Sequence, residues 1–353
     1  MTSSAATAVT EPGDVAPVLE VRDLCVTFAT ESGPVSAVDR VSLTLAPGEI
    51  VGIVGESGCG KSVTAMSLTS LLPASARVVG SARLRGTELI GARDSVLREI
   101  RGQDIAYIFQ EPMTSLNPVL TVGRQIAEVL QVHEHLSRKE ARARAIELLK
   151  LVRIPSPLKR VDNYPHQLSG GMRQRVMIAM AVACDPKILV ADEPTTALDV
   201  TVQAGILDIL RELRDRLGTS ILIITHDLGV IADVADRVVV MYAGRVVESA
   251  GVDELFARPQ HHYTAGLLSA SPIPGRHAGT ARLKEIPGLV PVLRTQPDAC
   301  TFADRCPAAD AQCREKAPPL ASSQRLPATN GQHVVACWHP MPDHSAQPPE
   351  IPS

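Results

Sequence analysis

Residues 55–62 read Gly-Glu-Ser-Gly-Cys-Gly-Lys-Ser, the pattern G-x-x-x-x-G-K-S. The segment lies between an aliphatic run, Glu49 to Val54, and a stretch of helical character from about Lys61 to Leu71. A strand, a glycine-rich loop and a helix in that order leave few folds open. Glycines let backbone N–H groups of Gly55, Glu56, Ser57, Gly58, Cys59, Gly60, Lys61, Ser62 and Val63 converge on an anion without a Cβ in the way. The helix N-terminus adds positive dipole at the same spot. The reading is a phosphate cradle: Lys61 would reach the β- and γ-phosphates, and the Ser62 hydroxyl would ligate Mg²⁺. Cys59 serves there through its backbone amide, so its side chain is expected to be incidental.

From Val18 to about Gly251, aliphatic strands alternate with helical stretches, which implies an α/β fold with a mostly parallel sheet. Val41 to Leu45 alternates with period two, and Lys187 to Ala191 and Ser220 to Thr225 are short buried-strand runs. Residues from about 112 to 184 read as a helical insertion, with a capping box at Ser137-Arg138-Lys139-Glu140 opening a helix to about Val152. Residues 1–17 read as a disordered arm. Residues 259–353 are proline-dense and carry four of the seven cysteines, so a small irregular domain with a disordered end is expected there. The balance of 35 basic and 38 acidic side chains gives a net charge of −3, which argues against a nucleic-acid partner held by bulk charge. No apolar run reaches the roughly 18 residues of a spanning helix, and the N-terminus lacks a signal-peptide layout. A soluble intracellular protein is the expectation.

Ile188 to Glu193 is an apolar strand ending in two acids. Asp192 would hold Mg²⁺ through its water shell, and Glu193 would polarise a water for in-line attack on the γ-phosphorus. His226 follows a third buried strand and suits a γ-phosphate contact. Leu168-Ser169-Gly170-Gly171-Met172-Arg173-Gln174-Arg175 opens a helix, where Ser169, Gly170 and Gly171 offer a second set of free N–H groups. One nucleotide does not need two cradles, so the second would serve another subunit's nucleotide. A plain helix cap is the alternative.

With these motifs assembled, the chain resembles the nucleotide-binding subunits of ATP-binding-cassette transporters over about Val18 to Gly251. The resemblance implies a P-loop NTPase core with a helical insertion subdomain, spanning 18–258. Gly55 to Ser62 match the Walker A loop, Gln110 the Q-loop glutamine, and Leu168 to Arg175 the signature, with Met172 where many members have Gln. Asp192 and Glu193 match the Walker B aspartate and catalytic glutamate, Ala197-Leu198-Asp199 the D-loop, and His226 the switch histidine. Ser62, Gln110 and Asp192 are the implied Mg²⁺ group. Lys61, Gln110, Glu193 and His226 are the implied catalytic set. Phe28 falls where such proteins stack an aromatic on adenine, although a strand core role fits equally. The resemblance further implies a head-to-tail dimer with ATP between the Walker A of one protomer and the signature of the other.

Glu111-Pro112-Met113-Thr114-Ser115-Leu116-Asn117-Pro118, the Met172 signature variant, and His262 to Leu268 followed by Ile286-Pro287-Gly288 are similar to the oligopeptide, dipeptide and nickel importer ATPases. Many relatives have Pro at the position of His262. That subfamily implies a second ATPase subunit (usually a paralogue), two membrane permease subunits, an extracytoplasmic solute-binding protein and a place on the cytoplasmic face of the cell membrane. Nickel or another small solute is the alternative cargo, because the ATPase does not touch it. A soluble cassette protein of translation or repair is disfavoured by the single cassette and the lack of a heptad array. In the tail, Cys300, Cys306, Cys313 and Cys337 leave three readings: a [4Fe–4S] cluster, as some relatives with this tail carry, a zinc ion, or free thiols. Cys25, Cys59 and Cys184 stand apart as packing or incidental residues.

Overall fold

The computed structural model describes residues 16–110, 115–196, 198–270, 285–291, 293–295, 297–322 and 333–342. The strands among them are, in chain order, β1 (Leu19–Thr30), β2 (Gly33–Leu45), β3 (Ile50–Val54), β4 (Ala76–Leu84), β5 (Thr87–Glu88), β6 (Ile105–Ile108), β7 (Ile188–Asp192), β8 (Ser220–Thr225), β9 (Arg237–Tyr242), β10 (Arg245–Gly251), β11 (Ala321–Ser322) and β12 (Val334–Val335). They form an eight-stranded sheet in the order β11-β12-β10-β9-β3-β8-β7-β6 and a four-stranded sheet in the order β2-β1-β4-β5.

In the larger sheet β9, β3, β8, β7 and β6 run parallel. Every residue of β3 and β8 is buried, as strands covered on both faces must be. Their side chains divide by period two. Ile50, Val54, Ile221 and Ile223 enter one apolar core, and Val51, Ile53, Leu222 and Ile224 enter the other. The smaller sheet is wholly antiparallel, which the reading of a single parallel sheet did not anticipate. Val41, Leu43 and Leu45 do alternate inward, but they belong to this separate layer.

Between β6 and β7 the described residues form the helices Val122–His133, Arg138–Leu151, Pro157–Arg160 and Gly170–Ala181, with no strand. The capping box forms: the Ser137 N–H donates to Glu140 Oε2 at 3.0 Å, and the Glu140 N–H to Ser137 Oγ at 3.4 Å. The Glu111 to Thr114 part of the importer-like motif lies outside the described residues, as do Ala197 and most of the N-terminal arm and C-terminal end.

The described residues after 259 join the core sheet through two short strands. β12 pairs antiparallel with β10, Glu248 opposite Val335 and Ser249 opposite Val334, and β11 continues beyond it. Beneath that seam Glu248 is fully buried. Its carboxylate accepts from the Gln260 N–H at 2.6 Å and the His261 N–H at 3.0 Å, and lies 2.8 Å from His333 Nε2. Arg245, three residues earlier on the same strand, pairs with Asp39 at 2.7 Å and donates to the carbonyls of Pro297 and Ala299. Replacing Glu248 by Ala strips an acceptor from three buried donors, so it should cost about 2–5 kcal/mol. Thermal unfolding will show the loss, and trypsin will cut beyond residue 258 under conditions where the parent chain resists.

Candidate functional site

Four parallel strands deliver their carboxyl ends to one rim. Val54 is in register with Thr225, Asp192 with Ile224, and Ile108 with Ala191. Gly55, Glu193 and His226 come next along their strands and Gln110 two residues beyond Ile108, so that Gln110 and His226 both reach Glu193 at this rim. The crevice beyond the carboxyl ends of such a sheet is where α/β proteins bind ligands.

The Gly55–Ser62 loop turns here because its glycines permit it. Gly55 has φ 152°, and a Cβ on it would lie 2.2 Å from the Met241 carbonyl oxygen. Gly60, with φ 101°, caps the helix Lys61–Ser67, and its Cβ would meet the Ala37 oxygen at 2.5 Å. Lys61 is only 6% exposed; its ammonium donates to the carbonyls of Gly55 at 2.7 Å and Glu56 at 2.9 Å. Val63 packs at the core margin. Of the two readings open for the Cys59 side chain, packing or incidental, its position fits packing. It is buried against the core, 3.7 Å from Lys61 Nζ, and burial raises its thiol pKa. The Glu56 N–H is also not part of the cradle: it donates to Tyr263 Oη at 2.8 Å.

Asp192 ends β7 with the Ser62 hydroxyl close enough to favour its charged form. Burial raises the Asp192 pKa, against the opposing effect of Ser62. Its Oδ1 is buried with no hydrogen-bond partner. An orphaned carboxylate oxygen next to a serine hydroxyl and a phosphate-type loop is a donor set suited to Mg²⁺.

Glu193 has φ 48°, the left-handed region, which is rare for a residue with a Cβ and concentrates at functional sites. Its N–H is held by the Ile224 carbonyl at 2.8 Å. Its Oε2 accepts from Gln110 Nε2 at 2.9 Å and Thr196 Oγ1 at 2.8 Å, and its Oε1 lies 3.1 Å from His226 Nδ1. Burial pushes the Glu193 pKa up, but the bonds from Thr196 and His226 and the nearby positive charge outweigh it and leave it lowered. The result is an ionised carboxylate, oriented by three side chains, at the mouth of the crevice.

Other predicted residues stand elsewhere. Ser169 is the cap of the helix Gly170–Ala181, its hydroxyl accepting the Met172 N–H at 3.3 Å. That N–H is therefore satisfied, while the first-turn groups of Gly170 and Gly171 face no acceptor within the helix. Asp199 caps the helix Val200–Leu217 by accepting the Val202 N–H at 3.0 Å. Among the described residues no hydrogen bond links Ser169, Gly170, Gly171 or Asp199 to the Gly55–Ser62 loop. Phe28 is half-buried at the margin of the core, opposite Val35 on β2 and Ala76 on β4. Thr196 was not foreseen, although its place three residues after Glu193 is a usable signal. Tyr263 and Arg305 were not foreseen as site residues either, although Tyr263 lies within the His262 to Leu268 motif.

The four tail cysteines converge. Cys300, Cys306, Cys313 and Cys337 line one small cavity with His261, His262 and His339, and none is in a disulfide. Burial raises the thiol pKa of Cys300 and Cys306 and pushes that of Cys337 up to about 12, with the neighbouring cysteines adding to each shift. Asp310 and His339 reach the rim of the group, with ligand atoms within 4.8 Å of Cys313 Sγ.

Comparison with known proteins agrees with this arrangement. Residues 38–196 match the family described as ABC transporter, and residues 247–313 match the oligopeptide/dipeptide transporter C-terminal region. The chain is 54% identical over 324 residues to the "probable peptide ABC transporter ATP-binding protein y4tR" of Sinorhizobium fredii, covering 91% of this chain and 94% of that one. It is 53% identical over 307 residues to the oligopeptide transport ATP-binding protein OppD of Mycobacterium tuberculosis, covering 87% of this chain and 50% of that protein. Among solved structures, the ATP-binding cassette MJ0796, a dimer in a post-hydrolysis state with ADP and Pi, superposes with a TM-score of 0.60 at 29% identity, over 66% of this chain and 98% of that one. With identity above half along nearly the whole of a relative, and the phosphate loop, paired acids and polar rim in place, this chain belongs to the ATP-binding proteins of the ABC transporter family.

Proposed function

We propose that this chain binds and hydrolyses ATP to energise peptide import across a membrane. The observation that carries the reading is the Glu193 carboxylate, ionised and oriented by Gln110, Thr196 and His226 one residue beyond the partnerless oxygen of Asp192. In this reading Lys61 exchanges its two loop carbonyls for the β- and γ-phosphate oxygens. Mg²⁺, held by Ser62 and Asp192 in the neighbourhood of Gln110, offsets phosphate charge when bound. Glu193 accepts the proton of the attacking water, which its lowered pKa and fixed geometry permit at neutral pH. His226, exposed at the mouth, holds the γ-phosphate, and Gln110 relays its occupancy to the helical segment that follows β6. Phe28, at the margin of the antiparallel layer, offers a face to the adenine.

Ser169, Gly170, Gly171 and Asp199 serve a second copy in this reading: a composite site forms when two ATPase subunits face each other head to tail. The uncommitted first-turn N–H groups of the helix Gly170–Ala181 support it, as does the dimeric state named for the similar cassette. The partner is a paralogous or identical ATPase subunit, and the pair docks on two membrane permeases fed by an extracytoplasmic solute-binding protein. No helix among the described residues is long and apolar enough to cross a membrane. A peripheral place on the cytoplasmic face therefore needs those permeases. The peptide-import names of the relatives support the cargo class.

The four cysteines we assign to a structural [4Fe–4S] cluster. Four sulfur donors on one cavity fit it, and a bound cationic cluster core would offset the cost that burial sets on ionising Cys300, Cys306 and Cys337.

Glu193→Gln should keep Mg·ATP binding, lower turnover by about 10²–10⁴-fold, and accumulate a closed dimer on size-exclusion chromatography. Wild-type phosphate release from that variant would refute the base assignment. Lys61→Ala should weaken nucleotide binding itself, by tenfold or more on the scale of a lost charge-assisted contact, measured by fluorescence titration. Purified without oxygen, the chain should be brown and yield about four iron and four sulfide per molecule. A colourless preparation with neither would rule the cluster out.

A further inference from the structure

The loop that receives phosphate is gripped from outside by the C-terminal extension. Glu56 is the second residue of that loop, and both its carboxylate oxygens accept from Arg305, at 2.7 Å and 3.0 Å. The Arg305 side chain is only 6% exposed although it lies 249 residues further along. Its remaining donors reach the carbonyls of Pro287 at 2.7 Å and Ile286 at 3.2 Å, and its guanidinium sits over the Tyr242 ring at 5.7 Å. The same Glu56 is tied by its N–H to Tyr263 Oη. Two residues beyond 259 thus take hold of one residue of the loop, at its carboxylate and at its backbone.

We propose that Arg305 is a positioning residue for nucleotide binding: by clamping Glu56 it pre-sets the phosphate loop, so that ATP affinity depends on the seating of the C-terminal extension. The inference rests on the nucleotide-binding reading above. Its physical basis is pre-organisation. A loop already held in its binding conformation loses less freedom when the ligand arrives. A bidentate guanidinium–carboxylate pair is also the geometry best able to fix a loop, and a lysine cannot reproduce it. Arg305 directly precedes Cys306, so the state of the cysteine cavity and the posture of the clamp are mechanically joined.

The test is a double-mutant cycle on the full chain, with Mg·ATP affinity read by titration and folding checked by circular dichroism. Arg305→Met and Glu56→Gln should each raise the Kd about tenfold, equivalent to about 1.4 kcal/mol. The double variant should be no weaker than either single, because both remove one interaction. Arg305→Lys should recover only part of the loss. Wild-type affinity in folded Arg305→Met overturns the proposal, as do additive effects in the double variant. If Arg305→Met does not fold, wild-type affinity in Glu56→Gln, which alters only the loop side, overturns it equally. A parent chain that bound no Mg·ATP would instead sink the nucleotide site, and the clamp with it.

Discussion

Backbone pairing between β3, β8, β7 and β6 sets the level at which four unrelated loops leave the sheet. The parallel ladder places Val54 opposite Thr225 and Asp192 opposite Ile224. A slip of one residue in any of these pairings would turn buried side chains to the wrong core and displace a site residue by over 3 Å. The aliphatic runs that bury both faces of β3 and β8 are thus also what aligns Gly55, Glu193 and His226. Precision at the rim is inherited from packing in the interior.

On that frame the polar groups divide into two kinds. Those fully satisfied hold the architecture: Glu248 with its three donors, Arg245 between Asp39 and two carbonyls, and Arg305 between Glu56 and two more. At the rim two neighbouring groups are less fully accommodated. Asp192 Oδ1 has no partner, and Glu193 occupies backbone space that costs on the order of 1–3 kcal/mol. The strain is sustained because the Glu193 N–H and both its carboxylate oxygens are anchored. At the rim an unpartnered carboxylate oxygen and a strained backbone thus stand on adjacent residues, Asp192 and Glu193.

Much of this was legible in the residues. The phosphate loop announces itself because its glycines, lysine and serine are contiguous and flanked by strand and helix patterns. Glu193 and His226 are readable because each lies just past an apolar run, and Gln110 only because it matches the Q-loop glutamine of the family. The separate antiparallel layer escaped because period-two alternation reports a half-buried strand without naming its partner. The choice between packing and incidental for the Cys59 side chain stayed open because a motif describes backbone needs and is silent on what fills the space beneath. Tyr263 and Arg305 were invisible as site residues for a topological reason: the contacts to Glu56 span 207 and 249 residues, a separation at which no local pattern carries information. The convergence of the cysteines was foreshadowed by composition, but their sharing one cavity with three histidines follows only from the way Val334 and Val335 bring Cys337 back to the core sheet.

The pairing of β12 with β10 also bears on how this protein could be divided. Were the chain to end near residue 258, β10 would become the last strand of a largely buried sheet, with bare main-chain donors and acceptors turned to water. Such an unprotected border invites strand addition from neighbouring copies. Beneath it the Glu248 carboxylate would lose three partners while remaining embedded in apolar surroundings. Trimming the cassette to its catalytic portion would thus bare a pairing edge that the extension now covers.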